Sequence, residues 1–352
     1  IGYLYAHQLL TRGIPVLYEA VQGASGAETI EALYTKFTTA AFWSRLATLE
    51  YDIKFITSGG YPTFEFGTSA DKAVIVKAMM TAAQARGDAV ALIDYHYIDG
   101  RTLDATNTQS IYSVLQTVGQ FKDSNNVDYG TFGAMFAPYC DYTISKVGDV
   151  ATLTAPGSFG YLLALSESVN NNNPDYLAVA GISRGKIPGF KGLKEDVTSA
   201  IAHTYNNTNA KMSINCIAPI RNMGTVIWSN RTLRYNEVAD PATDTAPFGV
   251  LPALALLNLR VMTCDIKKTL TDGALRYMFE NNSDILWLNY RSRIEAYLDK
   301  IVSNNGLRTY TINRLSKDSS NTIQVGVTLY PVQPVENWDI TVELKDETSE
   351  GV

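Results

Sequence analysis

The sequence predicts an α/β fold, a mostly parallel sheet flanked by helices, followed by an α+β unit. Three observations carry this. Up to about residue 200, apolar runs of strand length alternate with segments of helical period, the order that builds βαβ units. One of those runs, DAVALIDY (Asp88 to Tyr95), is almost continuously apolar, as a strand covered on both faces must be. From about Lys211 the order becomes strands, two long helices and strands again. The expected division is 1–205 for the α/β part, 206–330 for the α+β part and 331–352 for an extended arm.

The elements follow in order. YLYAHQLLTRG reads as a helix stopped by Gly13, and IPVLYEAV as a strand. Ile30, Leu33, Phe37 and Ala41 mark a helix in AETIEALYTKFTTAAFWSRLATLE. YDIKFIT is a strand that ends on the turn SGGYP. SADKAVIVKAMMTAAQARG is a helix with Ser69 as N-cap, Val74, Ala78 and Met79 on one face, and Gly87 closing it. After DAVALIDY comes a second apolar strand, TFGAMFAPY, and then a helix starting at Pro156 in PGSFGYLLALSESV. Asn170 to Asn173 read as an exposed loop.

In the second part MSINCIAPI is a strand, and GTVIWSNRTL follows a glycine turn. FGVLPALALLNLRVMTCDIKKTLTDGALRYMFE reads as one long helix with Pro252 near its start. The next helix, DILWLNYRSRIEAYLDKIVSNNG, is amphipathic. Trp287, Tyr290, Ile294, Tyr297, Leu298 and Ile301 form its stripe, with Asn289, Arg293 and Lys300 on the other side. TYTINRL and TIQVGVTLYP are strands. The second alternates Ile323, Val325, Val327 and Leu329 with Gln324, Gly326 and Thr328. The tail ENWDITVEL alternates Trp338, Ile340, Val342 and Leu344 with polar residues, behind Pro331 and Pro334, which break pairing with the strand before it.

Composition narrows the function classes. The chain has 352 residues, a net charge of -6 and 46% hydrophobic residues. No block of basic residues is long enough to favour nucleic acid. No apolar run approaches the roughly 20 residues of a membrane span. Cys140, Cys216 and Cys264 are odd in number and far apart, which fits buried thiols better than disulfides or a zinc site. The chain opens on Ile1 without a signal-peptide pattern, and the expectation is a piece of a longer polypeptide.

In a parallel sheet ligands bind at the carboxyl ends of the strands. Those ends hold Gly23, Ser25 and Gly26; Ser58, Gly59 and Gly60; and Asp94, His96 and Asp99. The glycine turn at Gly23 to Gly26 has neither the third glycine of a dinucleotide site nor the lysine of a P-loop. Asp94, His96 and Asp99 run into a DG turn signature. Ser158 opens a helix, and as a nucleophile it would need His7, His96 or His203 beside it. A helix cap is the plainer use of Ser158. No cluster has metal-ligand spacing, and neither a catalytic residue nor a cofactor is expected.

INCIAPIRNMGTVIWSNRTL, then ALRYMFENNSDILWLNYRSRIEAYLDKIVSNNGL, then the NWDITVEL tail resemble the C-terminal domain of contractile phage tail sheath proteins. That family runs a strand into a G-x-x-I/L-W/Y turn and an N/D-x-T segment. An F-E-x-N motif follows near the end of a long helix, then a second helix ending in glycine, paired strands and an arm. EYDIKFITSGGYP and YLAVAGISRGKIPG resemble the family's middle domain, which is subtilisin-like in topology without being a protease.

The resemblance spans nearly the whole chain. It implies that the loop after VLYEAV is a site of domain insertion in the family and no phosphate cradle. The short path from Val21 to Tyr51 implies no protruding insertion there. The family's N-terminal arm would precede Ile1. It also implies a virion protein, assembled in the host cytoplasm, that polymerises around an inner tail tube and contracts to drive it through the host envelope for genome delivery. Its partners would be itself, the tube protein and the baseplate and tail terminator proteins.

Two surfaces are expected to serve this. Trp338, Ile340, Val342 and Leu344 would form an inter-subunit arm, and the helix bearing Arg291, Arg293 and Lys300 would face the tube. The rival readings are a hydrolase or nucleotide-binding enzyme on the α/β part, and the sheath of a bacteriocin or secretion apparatus.

Overall fold

The computed structural model describes residues 9–10, 14–16, 40–48, 52–59, 69–94, 130–146, 149–195, 197–198, 202, 213–233, 253–316 and 322–334. In chain order these hold α1 (Ala40–Thr48), β1 (Phe55–Thr57), α2 (Ser69–Arg86), β2 (Val90–Asp94), β3 (Gly133–Ala137), β4 (Cys140–Lys146), β5 (Asp149–Ala155), α3 (Gly157–Asn170) and α4 (Gly181–Arg184). There follow β6 (Phe190–Leu193), β7 (Ile214–Ile220), β8 (Gly224–Ile227), α5 (Leu257–Leu275), α6 (Asp284–Ser303), β9 (Leu307–Ser316) and β10 (Gln324–Pro331).

The central sheet has five strands in the order β1-β2-β3-β7-β8. The first four are parallel, with Ile56 beside Ala91, Leu92 beside Ala134 and Phe136 beside Asn215. β8 runs antiparallel at the edge, as the hairpin partner of β7. Every residue of β2 and of β3 is buried, which is why both read as unbroken apolar runs. One face is covered by α1 and α2, through Trp43, Ile75, Met79, Ala82 and Ala83. The other is covered by α3 and the first turns of α5.

α2 ends where the sequence places it, and Ser69, expected as its N-cap, is its first helical residue. Gly87 closes it at φ +72°, and its N–H donates to the Ala83 carbonyl at 2.8 Å. Its buried face is shifted from the expected one, because Val74 is 50% exposed while Ile75, Val76, Met79 and Met80 are buried. The run AVIVKAMM is apolar on most of its circumference, so contacts with the sheet, not the pattern, choose the face.

A second, three-stranded antiparallel sheet, β5-β4-β6, lies over α3 and is absent from the expected elements. The period-two signal is present, with Tyr142 and Ile144 buried and Thr143 exposed between them.

β7 and β8 lie beyond the expected division at 205/206, yet they pair into the sheet of the first part. The change of unit lies in α5. Leu257, Val261 and Cys264 face the sheet layer, whereas Leu259, Met262 and Ile266 face α6 and the β9-β10 hairpin. One helix therefore serves two cores. The single long helix expected over 248–280 starts only at Leu257, after a 3₁₀ turn at Ala253–Ala255, and ends at Leu275.

Candidate functional site

Asp94 ends β2 and is 2% exposed. The Ser158 backbone N–H and hydroxyl each donate to its carboxylate at 3.0 Å. Ser158 is the second residue of α3, whose N-cap, Pro156, makes no side-chain cap bond. Asp94 therefore caps α3 across the fold, with its carboxyl oxygens at the positive end of the helix dipole. Burial pushes its carboxyl up to about 7, and the two Ser158 bonds oppose that shift.

The sequence reads Ser158 as a cap, and here it donates to the residue that does the capping. Its hydroxyl is completely buried and spends its proton on Asp94. His96, Asp99, His7, His203 and the Gly23 to Gly26 turn lie outside the described residues. Cys140, Cys216 and Cys264 are buried free thiols, and burial pushes the Cys264 thiol up to about 11.

A polar clasp, which the sequence reading did not find, joins the sheet to α5. The Asn215 amide donates to the carbonyls of Met135, at 3.0 Å, and Arg231, at 2.8 Å. Its oxygen accepts from the Arg231 N–H at 2.6 Å and the Ser229 hydroxyl at 2.9 Å. Asn230 donates to Asn258 at 2.6 Å, and Asn258 to the Tyr176 carbonyl at 3.1 Å. The Thr232 hydroxyl donates to the Leu254 carbonyl at 2.8 Å. The segment SNRT (Ser229 to Thr232) thus holds the start of α5 onto β7. Lys54 adds an ionic tie, reaching Asp265 of α5 at 2.7 Å and also Asp175 in the loop after α3.

α6 is capped by Ser283, whose hydroxyl accepts from the Leu286 N–H at 3.2 Å. Tyr290, Ile294, Leu298 and Ile301 are buried, the stripe the sequence predicts. The basic residues divide between two flanks of that stripe. Arg291 pairs with Glu295 at 2.7 Å. Arg293 lies about 200° around the helix from Arg291 and shares a flank with Lys300, two turns on. Both are exposed and make no side-chain ion pair among the described residues. The helix's acids, Asp284, Glu295 and Asp299, fall on the Arg291 side, so the Arg293–Lys300 flank carries positive charge alone. The arm residues Trp338, Ile340, Val342 and Leu344 lie outside the described residues.

No protein-family model matches the chain. A tail sheath protein of Vibrio phage KVP40 is 24% identical over 212 residues, covering 60% of this chain and 26% of that protein. The match thus spans about a quarter of that relative's length. Two solved structures share the fold. The anti-feeding prophage baseplate in its contracted state gives a TM-score of 0.63 at 14% identity, over 92% of this chain and 78% of that one. The 6-fold symmetrised baseplate gives 0.57 at 13%, over 92% and 83%.

These relatives are structural components of tails and baseplates. No helix among the described residues is long and apolar enough to cross a membrane. The sequence match to a phage tail sheath protein and the fold shared with a contractile apparatus together support placing this chain in the contractile tail sheath family.

Proposed function

We propose that the protein is the repeating structural subunit of a contractile sheath, which polymerises around an inner tube and contracts by exchanging contacts between subunits. The observation that carries this is a likeness of fold over 92% of the chain to an assembled contractile apparatus, one form of it in the contracted state. The interior supports it. α5 is shared between two cores and the Asn215 clasp is buried, so the sheet layer and the C-terminal unit are tied into one body. A sheath subunit has to move as such a body while its surface contacts change. By the same resemblance the sheet layer is the family's subtilisin-like domain without catalysis.

On this reading the Arg293–Lys300 flank meets the tube. The tail from Glu336 adds a strand to a neighbour's sheet, and the β9-β10 pair, which among the described residues is a sheet of two strands, is where such a strand would add. Tube, baseplate and tail terminator proteins are the further partners. The anti-feeding prophage likeness favours a second reading with the same mechanics, a sheath of an injection or bacteriocin apparatus instead of a virion.

Negative-stain microscopy of the full-length protein tests the proposal. Hollow striated tubes are expected. A dispersed protein that hydrolyses esters, or that is stabilised by nucleotides in a thermal-shift screen, would point to the enzyme instead.

A further inference from the structure

The sequence reads Asn170 to Asn173 as an exposed loop, and Asn170, Asn171 and Asn172 are exposed. The residues that follow, up to α4, hold no helix or strand, yet they are fastened along their length. At the start the Asn173 side chain donates to the Ser168 carbonyl of α3 at 3.2 Å. At the end the Ala178 carbonyl accepts from Arg184 Nε of α4 at 2.8 Å. Between them the Leu177 N–H donates to the Pro174 carbonyl at 3.1 Å, which folds Asp175 and Tyr176 into a turn.

That turn holds both parts of the molecule. Asp175 takes the ammonium of Lys54, just ahead of β1. Tyr176 packs into the core of the C-terminal unit. Its carbonyl accepts from Asn258 of α5 at 3.1 Å. Its ring lies on Gly306, the buried glycine behind α6, where a Cβ would come within 2.6 Å of Tyr176 Cε2. Glycine is needed at 306 for room, since the positive φ of this turn falls on Asn305, at +58°. Gly306 is also where the C-terminal unit comes together. It ends the turn after α6, leads directly into β9, and its carbonyl accepts from the Val332 N–H, just past β10, at 3.1 Å.

We propose that residues 174–177 are a strap that locks the end of α6, and with it the β9-β10 hairpin, onto the sheet and α5, and that its opening loosens that end while the sheet stays folded. The strap is built to open first. It has no ladder of backbone bonds, and such segments open locally before the whole chain unfolds. Its ion pair is partly in water, with the side chains of Lys54 and Asp175 28% and 40% exposed, so solvent screens it. When Asp175 leaves, Lys54 keeps Asp265 of α5 at 2.7 Å, so opening strands no ammonium. One aromatic ring then supplies the remaining seal. The lock lies within one chain, so its test needs no assembled tubes and its failure leaves the sheath reading standing.

Hydrogen exchange of the full-length protein tests it, read separately on α6 with β9 and on β2 with β3. Tyr176→Ser should speed exchange in α6 and β9 about tenfold and leave β2 and β3 unchanged. Asp175→Ala removes the tie on the sheet side alone and should speed the same α6 and β9 amides about threefold. The double substitution should exchange at the rate of Tyr176→Ser, because both changes release one opening. Gly306→Ala pushes the ring off its seat from the opposite side and should match Tyr176→Ser, and it carries the same reading if Tyr176→Ser does not fold. Exchange in α6 and β9 that ignores Asp175→Ala, or a rise shared equally by β2 and β3, overturns the inference.

Discussion

At the residue scale, two buried polar groups are decisive for stability. The Asp94 carboxyl sits at about 7 in the folded chain against 3.8 unfolded, because burial disfavours its charge. Glu195 is pushed up to about 7 for the same reason. A folded value above the unfolded one means that the folded chain keeps a proton the unfolded chain has released. The resulting stabilisation is full below about pH 4 and is lost as pH rises to about 7. Melting temperature should therefore fall between pH 4 and pH 7, and Asp94→Asn should flatten that fall, leaving the share of Glu195. An unaltered slope would contradict the burial argument.

Asn215 is the second such group, with both amide hydrogens and both lone pairs in use. Asn215→Leu keeps its size but takes a partner from two carbonyls and an N–H, while the Ser229 hydroxyl keeps the Ile214 carbonyl at 3.2 Å. It should cost about 3 kcal/mol or more, read from the urea midpoint. A cost below about 1 kcal/mol would mean that water replaces the clasp.

At the element scale, α6 separates a folding face from an assembly face. Its stripe of Tyr290, Ile294, Leu298 and Ile301 was legible because a 3.6-residue period is local. Arg291 and Arg293 fall on different flanks of α6, because two residues along a helix is more than half a turn. The two flanks give a controlled comparison. Arg293→Glu with Lys300→Glu should weaken assembly on tubes and leave melting unchanged, since exposed charges contribute roughly 0–1 kcal/mol to folding. Arg291→Glu, which breaks only the pair with Glu295, should assemble normally. Equal effects from the two flanks would remove the tube-facing assignment. For the arm, deleting residues 336–352 should leave the circular dichroism and melting temperature as they were and abolish polymerised sheath. Normal striated tubes from that deletion would defeat the strand-exchange proposal.

At the scale of the whole molecule, the question is whether the parts unfold together. α5 contributes Leu257, Val261 and Cys264 to one core and Leu259, Met262 and Ile266 to the next, so neither core is complete without it. The chain should melt in a single calorimetric transition. Leu298→Ala, at a site with 0% exposure, should lower that transition by about 2–5 kcal/mol. A separate early melting step for α6 and its hairpin would show the two units to be independent.

The sequence by itself determined the parallel sheet, α2, α3, α6 and the β9-β10 pair, because each rests on a local period, a glycine or proline stop, or an unbroken apolar run. It also carried the family likeness, since the order and spacing of short motifs survive where identity is low. Only the tertiary structure decided which face of α2 is buried, where one unit gives way to the next, and what Asp94, Ser158 and SNRT do. Those outcomes depend on residues far apart in the chain. Asp94 and Ser158 meet across 64 positions, and Asn215 reaches the Met135 carbonyl across 80. A buried polar group is defined by its partners, and no local pattern in the sequence names them.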